Sequence, residues 1–402
     1  MIIREGCGIV ATERIGIMGG TFDPIHAGHI AMAKAAAVSG ALDRVLILPS
    51  GNPPHKKGIT PAEDRWRMVC AAVAQEPLLE PCRLEVDRTG VIYTVDTLSE
   101  LHAIYPEAEL FYIIGEDTLL ELKNWRQYER VITLCTFLIC PRSIPASPEA
   151  LAAEEARLTA MGGSFLHVTM DPVDVSSTAV RRALEGGGEA SLLPVVCQEY
   201  AELMGLYGLP ARLTGEQQGW MAKLFDALSR KRFAHTLAVA QAARELALRH
   251  GLDAQKAELA GVLHDCAKCL PEAEMRAICL DNGLTDDPAV LASGNLMHSL
   301  VGAYLAQQAY GMQDEAVLTA IRVHTMGQPG MSPLDMAVYL ADKIEKTRRP
   351  YPALEAVRSA AQRSLREAML LSLGGTAEYV RSRGEALHPL SEQTLQWLKQ
   401  TN

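Results

Sequence analysis

Large aromatic rings are scarce in this chain: Phe, Trp and Tyr make up 5% of 402 residues. With so few rings and so much alanine in the second half, closely packed helices are favoured there over a β-sandwich. Positive charge is short as well, since 38 Lys and Arg face 48 Asp and Glu for a formal net charge of -10. That excludes a general nucleic-acid coat, which needs a basic face to release counterions, so any anionic ligand must find a local positive pocket. Long apolar runs are absent too. The strongest, "VITLCTFLIC", is far below the roughly 20 residues needed to span a bilayer, and Arg4 and Glu5 interrupt the first segment where a secretory core would lie. A cytoplasmic protein with no membrane or nucleic-acid partner is expected. The nine cysteines are odd in number and scattered, which suits reduced thiols. Cys266 and Cys269 have CxxC spacing without a second pair to complete a zinc site, and read as helix packing.

What is present points to two domains, because a chain of this length exceeds the size at which one core stops growing. In the first half, "IGIMGG", "RVLILPS", "ELFYIIG" and "TFLIC" read as strands, each followed by an amphipathic segment. That alternation predicts an α/β doubly wound parallel sheet covered by helices. "PRSIPASPEALAAEEARL" reads as a turn and polar helix on its surface. From Trp220 onward no convincing strand occurs. "FAHTLAVAQAARELALRH", "KAELAGVLHDCAKCL", "LMHSLVGAYLAQQAYG", "EAVLTAIRVH" and "DMAVYLADKIEKT" carry apolar residues at three and four spacing, with Gly251 and Gly311 just past helix ends, which predicts an all-α domain. Gly208, Pro210, Gly215 and Gly219 break the periodicity between the halves, giving expected domains at 1–210 and 216–402.

The stretch "GGTFDPIHAGH" joins a strand to a helix. A helix start presents unpaired N–H groups and partial positive charge, and Gly19 and Gly20 let a phosphate approach the backbone. His26 and His29, one turn apart, face the same way and can both donate to phosphate oxygens, stabilising charge at a transferred phosphorus centre. Ser176, Ser177 and Thr178 supply hydroxyls and N–H groups at another helix start, and Arg181 on the next turn adds a planar fork for phosphate. Trp125 offers a flat face for a ring.

These segments resemble the nucleotidyltransferase superfamily, whose signature G-x-F-D-P-x-H-x-G-H is matched throughout 20–29. "PSGNPPHKK", "YTVDTL", "FYIIGEDTLLELKNWRQYERV" and "VSSTAVRRAL" are similar, in order, to segments of the nicotinate-nucleotide adenylyltransferases, and the likeness covers nearly all of 15–208. The resemblance implies a Rossmann-like fold that transfers AMP from ATP to nicotinate mononucleotide, with Mg²⁺ accompanying ATP. It implies ATP contacts at Gly19, Gly20, Thr21, Phe22, His26, His29, Gly115, Asp117, Ser176, Ser177, Thr178 and Arg181. Mononucleotide contacts are implied at Asn52, His55, Lys56, Thr94, Trp125 and Arg142, with His26, His29, Lys56 and Arg181 catalytic. The chain departs from its relatives at Glu116 and in "CPRS". Nicotinamide mononucleotide or phosphopantetheine as acceptor stays open.

In the second half His235, His264, Asp265, His298, His324 and Asp342 form a ligand list for two metals, since imidazole and carboxylate suit Fe, Mn or similar divalent ions. Their order resembles the HD superfamily, in detail the YqeK-type symmetrical bis(5'-nucleosyl)-tetraphosphatases. The resemblance implies His235, His264, Asp265 and Asp342 on one metal and Asp265, His298 and His324 on the other, with Asp265 catalytic and Lys268 and Arg348 on polyphosphate. The implied reaction splits diadenosine tetraphosphate into two ADP; a non-catalytic nucleotide-binding module is the alternative. Oligomeric state is not legible.

Overall fold

A computed structural model describes residues 12–51, 58–188, 190–384 and 386–400. The chain divides into two compact units, Met1–Cys197 and Gln198–Asn402.

The first unit is built on six parallel strands, β1 (Arg14–Gly20), β2 (Arg44–Pro49), β3 (Leu79–Pro81), β4 (Glu109–Gly115), β5 (Thr136–Cys140) and β6 (Ser164–His167). Strands covered on both faces read as continuous aliphatic runs, which is why β4 and β5 coincide with "ELFYIIG" and "TFLIC". The edge strands β3 and β6 hold three and four residues, too short and too polar to stand out as apolar runs. Ile15, Ile17, Leu46, Leu48, Tyr112, Ile114, Phe137 and Ile139 pack into one buried cluster against the covering helices. The order β3-β2-β1-β4-β5-β6 runs outward in opposite directions from β1 and from β4. In such sheets the crevice beyond the carboxyl ends of the two diverging strands is where ligands bind. Gly19 and Gly20 end β1 and Gly115 ends β4, so the resemblance and the topology select the same place.

The second unit contains no strand among the described residues. Its central helices are Arg230–Arg249, Ala254–Leu263, Gly294–Gln308, Glu315–Val323 and Pro333–Ile344. Gly251 and Gly311 follow helix ends with φ of 67° and 71°, the left-handed conformation glycine adopts at low cost. The first two helices touch through Gly261, where a Cβ would lie 2.7 Å from Ala240 Cα. The units divide inside helix Val195–Met204, ahead of the glycine-rich stretch. Tyr200 meets Phe233 edge-on, and Arg212 joins Glu199 and Glu202 to Glu258, so this short segment packs as part of the helical unit.

The segment expected as one helix through Leu270 ends at Leu263. His264 Nδ1 donates to Gly261 O at 2.7 Å, occupying the carbonyl that the amide of residue 265 would use to extend the helix. Consecutive turns follow, closed by Cys266, Lys268 and Leu270 amides bonding three residues back. The CxxC pair therefore lies in turns rather than on a helix face, Cys266 buried and Cys269 exposed, both as free thiols. No helix among the described residues is long and apolar enough to cross a membrane.

Candidate functional sites

At the end of β1 the chain turns through Phe22, whose φ is 48°, and a cis Asp23–Pro24 bond before His26 opens helix Ala27–Ser39. The His26 N–H donates to His29 Nδ1 at 3.2 Å, and the two rings stack with centroids 3.6 Å apart. Accepting at Nδ1 fixes the neutral His29 tautomer with its proton on Nε2, the atom able to donate to a ligand. Burial, with help from the Arg142 guanidinium, pushes the His26 pKa down to about 4. His26 is thus a neutral imidazole at neutral pH.

The helix start at Ser176 closes over the same turn. Ser177 Oγ donates to Pro24 O at 2.9 Å and Arg181 donates to Asp23 O at 2.7 Å, while Ser176 Oγ caps its own helix by accepting from Ala179 N. Thr21, Phe22, His29, Ser177, Thr178 and Arg181 line one cavity of roughly 440 Å³. The structure therefore brings together both sequence-distant halves of the expected ATP site.

The remaining expected contacts form two groups. Thr94 hydrogen-bonds Tyr112, and Trp125 stands edge-on to that ring at 5.8 Å. A Cβ at Gly19 would lie 2.5 Å from the Tyr112 hydroxyl, so the glycine makes room for it. Arg142 instead joins Gly115 and Asp117: its Nε donates to Asp117 Oδ1 at 2.8 Å and would lie 2.3 Å from a Cβ on Gly115. Asn52, His55 and Lys56 lie outside the described residues.

Sequence reasoning missed Arg65. Fully buried on helix Ala62–Ala72, it donates to the carbonyls of Thr21 at 2.6 Å, Gly51 at 2.9 Å and Thr60 at 2.9 Å. One side chain thereby ties the cradle turn to the loop after β2. A charged residue inside an otherwise apolar helix face was the available signal.

In the helical unit His235, His264, Asp265, His298, His324 and Asp342 converge, all buried. His324 repeats the arrangement of His264: its Nδ1 donates to Ile321 O at 2.7 Å just past helix Glu315–Val323. Both rings therefore turn Nε2 inward as a lone pair. His264 Nε2 has no hydrogen-bond partner among the described residues and lies 3.3 Å from Asp265 Oδ2. His298 Nε2 is 3.1 Å from His324 Nε2 and 3.2 Å from Asp265 Oδ1, and His235 Nε2 is 2.9 Å from Asp342 Oδ1. The ligand atoms of His235, His264 and Asp342 lie within 4.8 Å of one another, as do those of His264, Asp265 and His324. A buried lone pair aimed at a carboxylate oxygen fits a cation between them, and the mixed nitrogen and oxygen donors suit a divalent transition ion.

The electrostatics agree. Burial alone would raise Asp342, yet Lys343, with help from His235, holds this carboxylate well below its usual range. Burial lowers His324 and His298. Lys268 Nζ lies 3.3 Å from His298 Nδ1, and burial lowers its pKa; Arg348 lies 3.7 Å from Asp342. Three partners were not foreseen. Glu345 Oε1 faces His235 Nδ1 at 3.1 Å, Arg232 donates to Asp265 at 2.6 Å, and Lys343 donates to Asp342 at 2.7 Å.

Comparison with known proteins places both halves. The Cytidylyltransferase-like family matches residues 17–183 and the HD domain family matches 232–347. A Corynebacterium kroppenstedtii protein named "Probable nicotinate-nucleotide adenylyltransferase" is 40% identical over 210 residues, covering 52% of this chain and 96% of the relative. A Mycoplasma genitalium protein named "Probable nicotinate-nucleotide adenylyltransferase/Ap4A hydrolase" is 28% identical over 368 residues, covering 90% of this chain and 97% of the relative. A solved Clostridium acetobutylicum structure, described as a "predicted HD superfamily hydrolase involved in NAD metabolism", is 35% identical with a TM-score of 0.44, covering 45% of this chain and 95% of that one. The chain belongs to the nicotinate-nucleotide adenylyltransferase family, and joins that enzyme's α/β fold to a helical HD domain.

Proposed function

We propose that the sheet unit transfers the adenylyl group of ATP to nicotinate mononucleotide, giving deamido-NAD and pyrophosphate, and that the helical unit hydrolyses diadenosine tetraphosphate to two ADP. The first reading rests on His29, oriented by the His26 amide in the cavity it shares with Ser177, Thr178 and Arg181. A mononucleotide phosphate oxygen attacks the α-phosphorus, and the bond to the bridging oxygen of pyrophosphate breaks. No proton has to leave the nucleophile, so the chain's contribution is electrostatic. His29 Nε2–H donates to the oxygens on which charge gathers, and Arg181 with the helix start at Ser177 receives the departing pyrophosphate. Mg²⁺ accompanying ATP belongs to this reading.

The second reading rests on the buried lone pair of His264 facing Asp265. His235, His264, Asp265, His298, His324 and Asp342 would hold the divalent ions, Fe or Mn by donor type. When bound, such ions supply Lewis acidity at phosphorus and a more acidic water. Water adds to a phosphorus and the bridging P–O bond breaks, leaving ADP on each side. Lys268 and Arg348 stand beside the cluster to neutralise polyphosphate oxygens.

One preparation assayed for both reactions tests the pair of assignments. His29→Ala should abolish adenylyl transfer and spare hydrolysis, and His264→Ala the reverse. Faster turnover of nicotinamide mononucleotide or phosphopantetheine than of nicotinate mononucleotide overturns the acceptor assignment. Metal-loaded wild-type protein that binds diadenosine tetraphosphate and leaves it intact overturns the hydrolase assignment.

A further inference from the structure

Glu85 is a buried carboxylate in the sheet unit that the chemistry above does not use, on the turn that follows β3. Its Oε1 accepts from Thr97 Oγ1 at 2.8 Å. Thr97 is also buried, one turn into helix Thr94–Ile104. Arg88, three residues after Glu85, donates through Nη1 to the same hydroxyl oxygen at 3.0 Å and through Nη2 to Glu100, one helical turn further on. Two neighbouring side chains therefore grip the helix at residues 97 and 100. The Glu85 backbone is tightly placed as well, since a Cβ on Gly51 would lie 2.3 Å from Glu85 O.

The Thr97 hydroxyl has one proton and two acceptors in reach. Arg88 donates to its oxygen, so the proton is left for Glu85 at 2.8 Å or for Tyr93 O, 3.5 Å away and four residues back. The Tyr93 carbonyl already receives the Asp96 and Thr97 amides at 3.0 and 3.2 Å, the bonds that start the helix. A threonine that bonds back to the carbonyl four residues earlier competes for that acceptor and bends its helix. Glu85 draws the proton away, and the first turn keeps its regular form. That turn carries Thr94, which hydrogen-bonds Tyr112, the ring against which Trp125 stands edge-on.

We propose that Glu85 is a positioning residue for adenylyl transfer: by taking the Thr97 proton it fixes the first turn of helix Thr94–Ile104, and with it the Thr94 hydroxyl that meets the nicotinate mononucleotide. The proposal rests on the reading of Thr94 and Trp125 as mononucleotide contacts. Glu85 acts through Thr97 and touches no substrate. Accepting a hydrogen bond is its whole task, so an uncharged acceptor of the same shape serves equally.

Steady-state kinetics of the full chain, with each substrate varied in turn, tests this. Glu85→Leu, similar in size and without an acceptor, should raise KM for nicotinate mononucleotide about tenfold, the value of one ordinary hydrogen bond. Its kcat and its KM for ATP should stay at the wild-type values, because only binding of one substrate is weakened. Glu85→Gln keeps the acceptor and should keep the wild-type KM. Adding Thr97→Val to Glu85→Leu removes the hydroxyl that would turn back on Tyr93, so the double variant should recover most of the lost affinity. A packing defect would not be repaired by a second substitution. An unchanged KM in Glu85→Leu, an equal rise in KM for ATP, a Glu85→Gln as impaired as Glu85→Leu, or a double variant no better than the single one each overturns the role. Should Glu85→Leu fail to fold, a folded double variant with wild-type KM still supports it, and failure of both to fold overturns it. Wild-type protein that does not turn over nicotinate mononucleotide would instead overturn the reading of the sheet unit.

Discussion

The amide of His26 donates to Nδ1 of His29 at 3.2 Å, so a backbone group of one signature histidine sets the protonation of the other. The amide would otherwise be one of the helix's unpaired donors, and its use here means the far nitrogen of His29 carries the proton. Asn at this position can still accept from the His26 amide but cannot reach the ligand. His29→Asn is therefore expected to lose about 10²–10³ in kcat for adenylyl transfer, the scale of one lost transition-state donor, with the thermal midpoint of the sheet unit unchanged. Measuring kcat and melting on the same samples separates the two effects, and a matching drop in melting temperature would mean His29 is mainly a cap.

His26 has a distinct pH signature. Burial and Arg142 hold its pKa near 4, below the value of about 6.5 it has in the unfolded chain. Between these values the unfolded chain binds the extra proton and the folded one does not, so stability rises with pH across the window. The contribution is complete above pH 6.5 and drains away as pH falls toward 4. His26→Gln should flatten that part of the stability curve. Chemical shifts of labelled histidine should show His26 still neutral at pH 5, and titration near 6.5 would sink the assignment. Arg142→Met should move the midpoint upward.

Arg65 is an anchor whose loss should reach the substrate indirectly. Its guanidinium holds three carbonyls, and a hydrogen bond from a charged donor contributes about 1.5–3 kcal/mol. Arg65→Met leaves those carbonyls short of partners, so destabilisation on the order of 3 kcal/mol is expected. Because Thr21 and Phe22 line the cavity proposed to hold ATP, KM for ATP should rise as well, with little change in the proposed hydrolysis by the other unit. Wild-type melting together with wild-type KM would show that the three bonds are dispensable.

The difference between Arg65 and His26 also explains what the sequence disclosed. Gly19, Gly20, His26 and His29 lie within eleven residues, and a strand-to-helix turn is enough to assemble them. The partners of Arg65 lie 44, 14 and 5 positions away, with nothing in their types to mark them, because the contacts are to backbone carbonyls. The six metal-type residues were legible from residue type and order alone, since few other roles suit such a set. Their surroundings were not. Glu345 and Lys343 look like ordinary charges near a helix end, and only packing against helix Arg230–Arg249 turns one of them toward His235. The helix stop at Leu263 was hidden for a related reason: it depends on a side chain taking a backbone acceptor, which apolar periodicity does not record. The edge strands β3 and β6 form by pairing with longer neighbours, so their own residues carry little signal.

Glu345 supplies a test of the metal assignment that removes no ligand. It is 2% exposed, and its carboxylate accepts from His235 Nδ1 and from the Thr347 amide; these bonds outweigh burial and lower its pKa. A carboxylate behind a metal-binding imidazole fixes the ring's orientation and makes the opposite nitrogen a better donor. Glu345→Gln keeps the shape and an acceptor for Nδ1–H but removes the charge, so affinity for a divalent ion should fall about 10–100-fold. Competition between the purified full chain and a chelator of known affinity, read with Mn²⁺, measures this directly. His235→Ala removes the proposed ligand itself and should weaken binding further. Adding Glu345→Gln to His235→Ala should then change little, because the carboxylate acts only through that ring. If the double variant instead loses a further tenfold or more, Glu345 acts on the site by a route other than His235, and the orienting role assigned to it fails.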